Sequence, residues 1–186
     1  MQNPAAEISD VFHKLTMAST QEIQLNTIKT YFTPDAGFKH PLCKVQQGEN
    51  SRENLLGIYQ WYRIMSPKII GEVKSVIYDA SLDVIILEVV QTFHIFLSPF
   101  KPAKSRLNVR LTLQDIGGLH YISLQEDYYH PEDLIALVLP PLIPIVSLIL
   151  IIAAYISNIG AAVGHSVGFT GMKSEAPLSN GNGKRR

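Results

Sequence analysis

The sequence predicts an α+β domain over residues 1–130 joined to a hydrophobic membrane segment over 134–163, and three observations carry that reading. Up to Pro67 the apolar residues recur at helical spacing. From Lys68 onward Ile, Val, Tyr, Thr and Phe dominate short runs divided by turn residues, the pattern of strands. Leu134 to Val163 then contains no charged side chain, and about 20 apolar residues in a helix suffice to cross the hydrocarbon core of a bilayer.

The elements follow in order. Asn3-Pro4 joins a capping side chain to proline at the first helical position, and Ile8, Val11, Phe12 and Leu15 give the first helix an apolar face. Ser19 with Glu22 forms a capping box for a second helix, whose face of Leu25, Ile28 and Phe32 is stopped by Thr33-Pro34-Asp35. Ala36 to Pro41 is a brief extended piece, and a polar loop runs from there to Asn50. Asn50 with Glu53 caps a third helix lined by Leu55, Leu56, Tyr59, Tyr62 and Met65 and ended by Ser66-Pro67. Strands are expected over Ile69–Tyr78 and Val84–Leu97, joined by a hairpin loop at 79–83. A third strand alternates Leu107, Val109, Leu111 and Leu113 with Arg106, Asn108, Arg110 and Thr112. Gly117-Gly118 turns it into a last strand, His120 to Tyr128. Val84 to Val90 is apolar on both faces apart from Glu88, so a helix, the bilayer or the second subunit of a homodimer is expected to cover its outer side.

Composition narrows the classes of partner. The 16 basic and 16 acidic residues cancel, and no run of Lys and Arg interleaves with aromatics, so nucleic acid is not an expected partner. Cys43 is the single cysteine, there is no Asn-x-Ser/Thr sequon, and MQNPAAEISDVF lacks the features of a signal peptide; together these place the domain in a reducing compartment. None of the six histidines pairs with another at a metal-ligand spacing, and no Gly-rich phosphate loop or nucleophile elbow occurs, so neither a metal nor a cofactor is implied. The polar tail over 170–186 is expected to be disordered.

Tyr31-Phe32-Thr33-Pro34-Asp35-Ala36, His40-Pro41, Tyr59-x-Trp61-Tyr62-x-Ile64-Met65-Ser66-Pro67 and Gln125-Glu126-Asp127-x-Tyr129 resemble the fungal SigF-like branch of the nuclear-transport-factor-2-like superfamily. The resemblance implies a cone, a curved antiparallel sheet wrapped on three helices, and members of that branch often carry a C-terminal hydrophobic segment. It supplies no mechanism: relatives include ketosteroid isomerases, polyketide cyclases, dehydratases and non-catalytic binding or dimerisation modules.

Chemistry in such a cone needs a carboxylate or histidine projecting into an apolar cavity, because burial raises a carboxyl group's hold on its proton. Asp127 is the first candidate, in a position that resembles that of the catalytic aspartate of small polyketide cyclases. Against it, Tyr121, Ser123, Gln125 and Asp127 share one strand face opposite Ile122 and Leu124, the pattern of a solvated face. His40, at the end of a strand entering the cone, is the candidate partner of Asp127; a histidine there also serves as a turn or core-edge residue. Tyr59, Trp61, Tyr62, Phe93, His94 and Phe96 are the candidate ligand-pocket residues.

The expected role is a membrane-anchored module that binds a lipid or other apolar small molecule. The alternatives are an isomerase, cyclase or dehydratase with Asp127 as acid or base, and a dimerisation or scaffold module. A C-terminal span leaves the domain cytosolic on an endomembrane such as the endoplasmic reticulum, whereas Lys173 and Lys184-Arg185-Arg186 after the span favour a cytosolic tail. Pro140, Pro141 and Pro144 with Gly160, Gly164 and Gly168 therefore leave a re-entrant hairpin open beside the single span.

Overall fold

A computed structural model describes residues 1–169, so the polar tail over 170–186, expected to be disordered, lies outside the described residues. The chain divides into two units, the first Met1–Val146 and the second beginning at Ser147. In the first, α1 (Pro4–Thr16), α2 (Gln21–Tyr31) and α3 (Ser51–Met65) pack on a sheet of β1 (Phe32–His40), β2 (Cys43–Val45), β3 (Ile70–Asp79), β4 (Val84–Thr92), β5 (Lys104–Ile116) and β6 (Leu119–Tyr128). The strands lie in the order β2-β1-β6-β5-β4-β3.

The amphipathic periods read from the sequence build this core. Ile8, Val11 and Leu15 of α1, Ile28 of α2 and Leu55 and Tyr59 of α3 bury against Ile85, Leu87 and Val89 of β4 and the alternating leucines and valine of β5. Each large aliphatic side chain so buried contributes about 1.5–3 kcal/mol. Polar ties fix the helices: the buried Gln24 amide donates to Leu15 O at 2.7 Å and Tyr59 O at 3.5 Å, joining all three. Ser51 Oγ donates to Ala36 O at 2.8 Å and pins the start of α3 to β1.

Local details depart from the expected ones. Asn3 caps α1, its Oδ1 accepting from Ala6 N at 3.2 Å. Thr20 rather than Ser19 caps α2, and Asn50 sits in the left-handed region at φ 58° with no capping bond from its side chain. Phe32 opens β1 instead of closing α2, because Thr33-Pro34 favour extended backbone. The loop after His40 contains the short β2, antiparallel to β1. β4 ends at Thr92, leaving Phe93 to Leu97 outside the sheet. The sheet is mixed: β1 runs parallel to β6, while every other neighbouring pair is antiparallel. On β4 the outward Ile86 is 39% exposed and pairs with Ile77, 61% exposed.

The register of β6 matters most for the site. Leu113 of β5 pairs with Ile122 and Leu111 with Gln125, so β6 carries one residue more than β5 over this interval. Such a bulge reverses the alternation beyond it. Ile122, Gln125 and Asp127 consequently share the inward side with Leu113, Leu111 and Val109, while Glu126 turns outward to Lys39 Nζ and Arg110 Nη1, each at 2.8 Å. The solvated-face reading of Gln125 and Asp127 is thereby overturned.

The apolar C-terminal stretch also divides. Pro131–Val138 forms α4, tied to β5 by Ser105 Oγ donating to Asp133 O at 2.9 Å and Arg106 N donating to Asp133 Oδ1 at 2.7 Å. Residues 134–138, read as part of the membrane segment, are therefore part of the folded domain. After a 3₁₀ turn at Pro140–Leu142, α5 (Ile143–Ser166) is one uninterrupted helix without a buried residue. Pro144 lies in its first turn and Gly160 and Gly164 within it, and the helix runs through all three positions. The span Pro140–Ser166 is long and apolar enough to cross a membrane.

The two faces of the sheet predict opposite mutational costs. Ile85→Ala, at a fully buried position, is expected to destabilise by about 2–5 kcal/mol, and Ile77→Ala by less than about 0.5 kcal/mol, read by denaturant unfolding of the detergent-solubilised chain.

Candidate functional site

The inward side chains leave a cavity of about 200 Å³ in the cone. Phe12 of α1, Phe38 of β1, Met65 of α3, Leu107 and Val109 of β5, Leu137 and Val138 of α4, and Phe93 and Ile95 after β4 supply apolar wall. Polar groups enter from Thr16, His40, Tyr59, Tyr62, Gln91, Gln125, Asp127 and Tyr129.

Asp127 reaches this space because the bulge turns it inward. Its Oδ1 accepts from Gln125 Nε2 at 2.9 Å, and Gln125 Oε1 accepts from the Tyr59 hydroxyl at 2.7 Å. Asp127 makes no salt bridge among the described residues. Burial without a compensating charge pushes its pKa up to about 7, the Gln125 hydrogen bond opposing. Burial also raises the hydroxyl pKa values of Tyr59, Tyr62 and Tyr129, keeping all three protonated donors.

His40 and Asp127 each follow by one residue the registered pair Lys39–Glu126, so the parallel β1–β6 pairing brings both to the cavity. No hydrogen bond joins them among the described residues. His40 Nδ1 accepts from Leu42 N at 3.1 Å, and its ring lies 6.1 Å from Phe38, stacked, and 5.2 Å from Tyr129, edge-on. Burial lowers its pKa to about 4. The imidazole is thus neutral at pH 7, with its proton on Nε2 because Nδ1 is an acceptor. Gln91 Nε2 donates to the Tyr129 hydroxyl at 2.9 Å, and Tyr62 OH lies 3.5 Å from Cys43 Sγ. A reacting or bound carbonyl oxygen entering here meets neutral donors beside one group that changes charge near pH 7.

Of the expected pocket residues, Tyr59, Tyr62 and Phe93 line the cavity; Trp61, His94 and Phe96 do not. Trp61 is 55% exposed because two residues along a helix turn it well off the Tyr59 side. Phe96, 58% exposed, and His94 lie beyond the end of β4, where strand alternation no longer directs them. His94 is fixed through its backbone N, which donates to Ser66 Oγ at 2.9 Å. Tyr129 was legible only as part of a motif, and Gln125 as part of that motif and as a member of the strand face of Asp127; the spacing of two from Asp127 on either side is the signal that brings both to the cavity. Among the described residues, no three His, Cys, Asp or Glu side chains group as metal ligands.

A match to the SigF NTF2-like domain covers residues 1–169. The chain belongs to this family. The SigF NTF2-like match extends through the whole of α5, so the apolar helix lies within the region the family describes. No curated protein matches the sequence. Among solved structures, the fold is similar to a loop-truncation variant of IdmH, with 15% identity over 72% of this chain and 98% of that one and a TM-score of 0.52. It is also similar to a putative isomerase of the SnoaL-like family from Agrobacterium tumefaciens, at 9% identity, 68% and 97% coverage and a TM-score of 0.52. An NTF2-like protein of unknown function from Exiguobacterium matches at 9% identity, 69% and 99% coverage and a TM-score of 0.53. At these identities the likeness establishes the cone fold.

The two perturbed groups have opposite linkage to stability. Asp127 binds its proton more tightly folded than unfolded between about 3.8 and 7, so its contribution falls as pH rises through that window. His40 binds its proton less tightly folded between about 4 and 6.5, so its contribution rises with pH. Their effects oppose in the wild type. Asp127→Asn is expected to leave a stability that climbs with pH across this range, and His40→Phe one that declines, measured as unfolding midpoints at successive pH values.

Proposed function

We propose that the SigF NTF2-like cone binds a small apolar molecule carrying a carbonyl or hydroxyl group, and that α5 anchors the domain in a membrane. The observation that carries this reading is the apolar cavity of about 200 Å³ with Asp127 among its few polar groups. A cavity of about 150 Å³ lined by aliphatic and aromatic side chains accommodates benzene, so this volume favours a ligand of one or two rings and is too small to enclose a membrane lipid with its acyl chains. The mostly apolar wall lowers the local dielectric, which strengthens each hydrogen bond formed inside. Protonated Asp127 donates to a ligand carbonyl; ionised Asp127 accepts from a ligand hydroxyl. The length and apolarity of Pro140–Ser166 support the anchor. A cytosolic domain on an endomembrane is the placement we favour, supported by the lone Cys43 and the lack of an Asn-x-Ser/Thr sequon in the sequence.

The titration of Asp127 near neutrality supports a second reading, an isomerase-type enzyme. An acid or base works best when its pKa lies near the operating pH. Asp127 would take a proton from the carbon beside a ligand carbonyl and return it to another carbon, with His40 Nε2–H and the Tyr129 hydroxyl, which accepts from Gln91 and keeps its own proton to donate, holding the oxygen where negative charge develops.

2-Tetralone, a bicyclic enolisable ketone, tests both readings on the full-length protein. Binding is expected by saturation-transfer NMR and is lost in Val109→Phe, which fills the cavity; wild-type protein that shows no transfer removes the binding reading. Exchange of the ketone's α-hydrogens in D₂O, accelerated by wild type and lost in Asp127→Asn with binding retained, supports catalysis. Binding without accelerated exchange leaves the binding reading alone.

A further inference from the structure

Beside the cavity, two segments combine exposed apolar side chains with unpaired cations. The first is the end of α3 and its continuation, residues 61–70, and the second is the stretch after β4, residues 93–104. They are stitched together: Phe96 N donates to Met65 O at 2.9 Å, and His94 N donates to Ser66 Oγ at 2.9 Å. Their inward residues Met65, Ile69, Phe93 and Ile95 form part of the cavity wall. Their outward residues Trp61, Phe96, Leu97 and Phe100 are exposed, Leu97 the most at 78%.

Charge in these segments is one-sided. They hold Arg63, Lys68, Lys101 and Lys104 and no Asp or Glu. None of the four cations forms a salt bridge among the described residues, whereas Lys14, Lys39, Arg52, Lys74 and Arg110 all do. On α4, which packs on β5, the Asp133 carboxylate is engaged by Arg106 N. In a chain of net charge zero this is a local imbalance. Exposed aromatic and aliphatic side chains on segments whose Lys and Arg form no salt bridge among the described residues match the chemistry of an anionic leaflet, acyl chains below and phosphates at the level of the ammonium and guanidinium groups. Connectivity agrees: Val138 lines the cavity, and only Leu139 to Leu142 separate it from the start of α5.

We infer that Trp61, Phe96, Leu97 and Phe100 with Lys68 and Lys101 form a lipid-docking surface for an anionic leaflet, which puts this wall of the cavity against the bilayer. The inference rests on the anchor reading above and goes beyond it, since a span alone requires no contact between the cone and lipid.

Trp61 is the only tryptophan, so the protein carries its own reporter. Full-length protein is reconstituted in vesicles of phosphatidylcholine with or without phosphatidylserine, with bromine on the acyl chains as quencher. Blue-shifted and quenched Trp61 emission in the anionic vesicles is expected, with most of the quenching lost in Leu97→Asp and in Lys68→Glu/Lys101→Glu. Flotation with the vesicles but unquenched Trp61 overturns the docking surface while leaving the anchor in place. A blue shift without quenching also overturns it, by showing that protein covers the patch. Quenching equal in the neutral vesicles overturns the anionic requirement. Quenching that survives Ile149→Lys/Ile152→Lys, which place two charges inside the apolar helix, supports a docking surface that holds to the leaflet without help from α5, and quenching lost in that variant but kept in Leu97→Asp overturns the docking surface.

Discussion

The extra residue in β6 between Ile122 and Gln125 determines which side chains reach the interior of the cone. Without it, the alternation of β6 would place Gln125 and Asp127 on the outer face and Glu126 inside, so the cavity would lose Asp127 and the Gln125 amide that donates to it. Neighbouring polar groups hold the bulge: Ser123 Oγ donates to Thr112 O at 3.1 Å, and Gln47 Nε2 donates to Ser123 O at 3.0 Å. Gly37 opposite completes it, because a Cβ there would come 2.6 Å from Gln47 Cγ and 3.0 Å from Leu124 Cδ1. Backbone register, set partly by a residue on another strand, therefore comes before the chemistry of the site.

Once Asp127 is turned inward, its surroundings keep the cavity close to electrical neutrality. A buried charge needs a partner or must neutralise. The Lys39 and Arg110 side chains that could have paired with it are committed to Glu126 on the other face. Asp127 responds by holding its proton to about pH 7, and His40 by losing its own above about pH 4. The resulting interior is largely apolar and retains one group that ionises near neutral pH.

Much of the fold was legible because burial follows simple periods. Ile8, Val11, Phe12 and Leu15 marked α1, and Leu107, Val109, Leu111 and Leu113 marked β5, since both elements keep one period from end to end. The parallel β1–β6 pairing was not legible, because neither strand contains a signal for its neighbour; their register even slips between Phe32 and Gly37, around Pro34, which has no N–H to offer. His40 and Asp127 stood out as residue types, but period-two reasoning put Asp127 in solvent because a bulge leaves no strong mark in a strand's composition. Trp61 and Phe96 were misplaced for a related reason: their aromatic character suggested a pocket, whereas helix phase and the early end of β4 decided their direction.

The C-terminal apolar run shows the same limit from the other side. Composition is nearly uniform from Leu134 to Val163, so hydropathy sees one object. Geometry makes it two, because Asp133 engages the backbone of Arg106 and holds α4 on β5, where Ala136 is buried and Leu137 and Val138 face the cavity. Pro140 and Pro141 then interrupt helical hydrogen bonding where the first job ends, and Pro144 occupies the first turn of α5, where a missing N–H costs least. The prolines thus separate a wall of the cavity from an apolar helix with no buried residue. A single run of aliphatic residues serves two solvents, the protein interior up to Val138 and, on the anchor reading, the bilayer beyond Ile143.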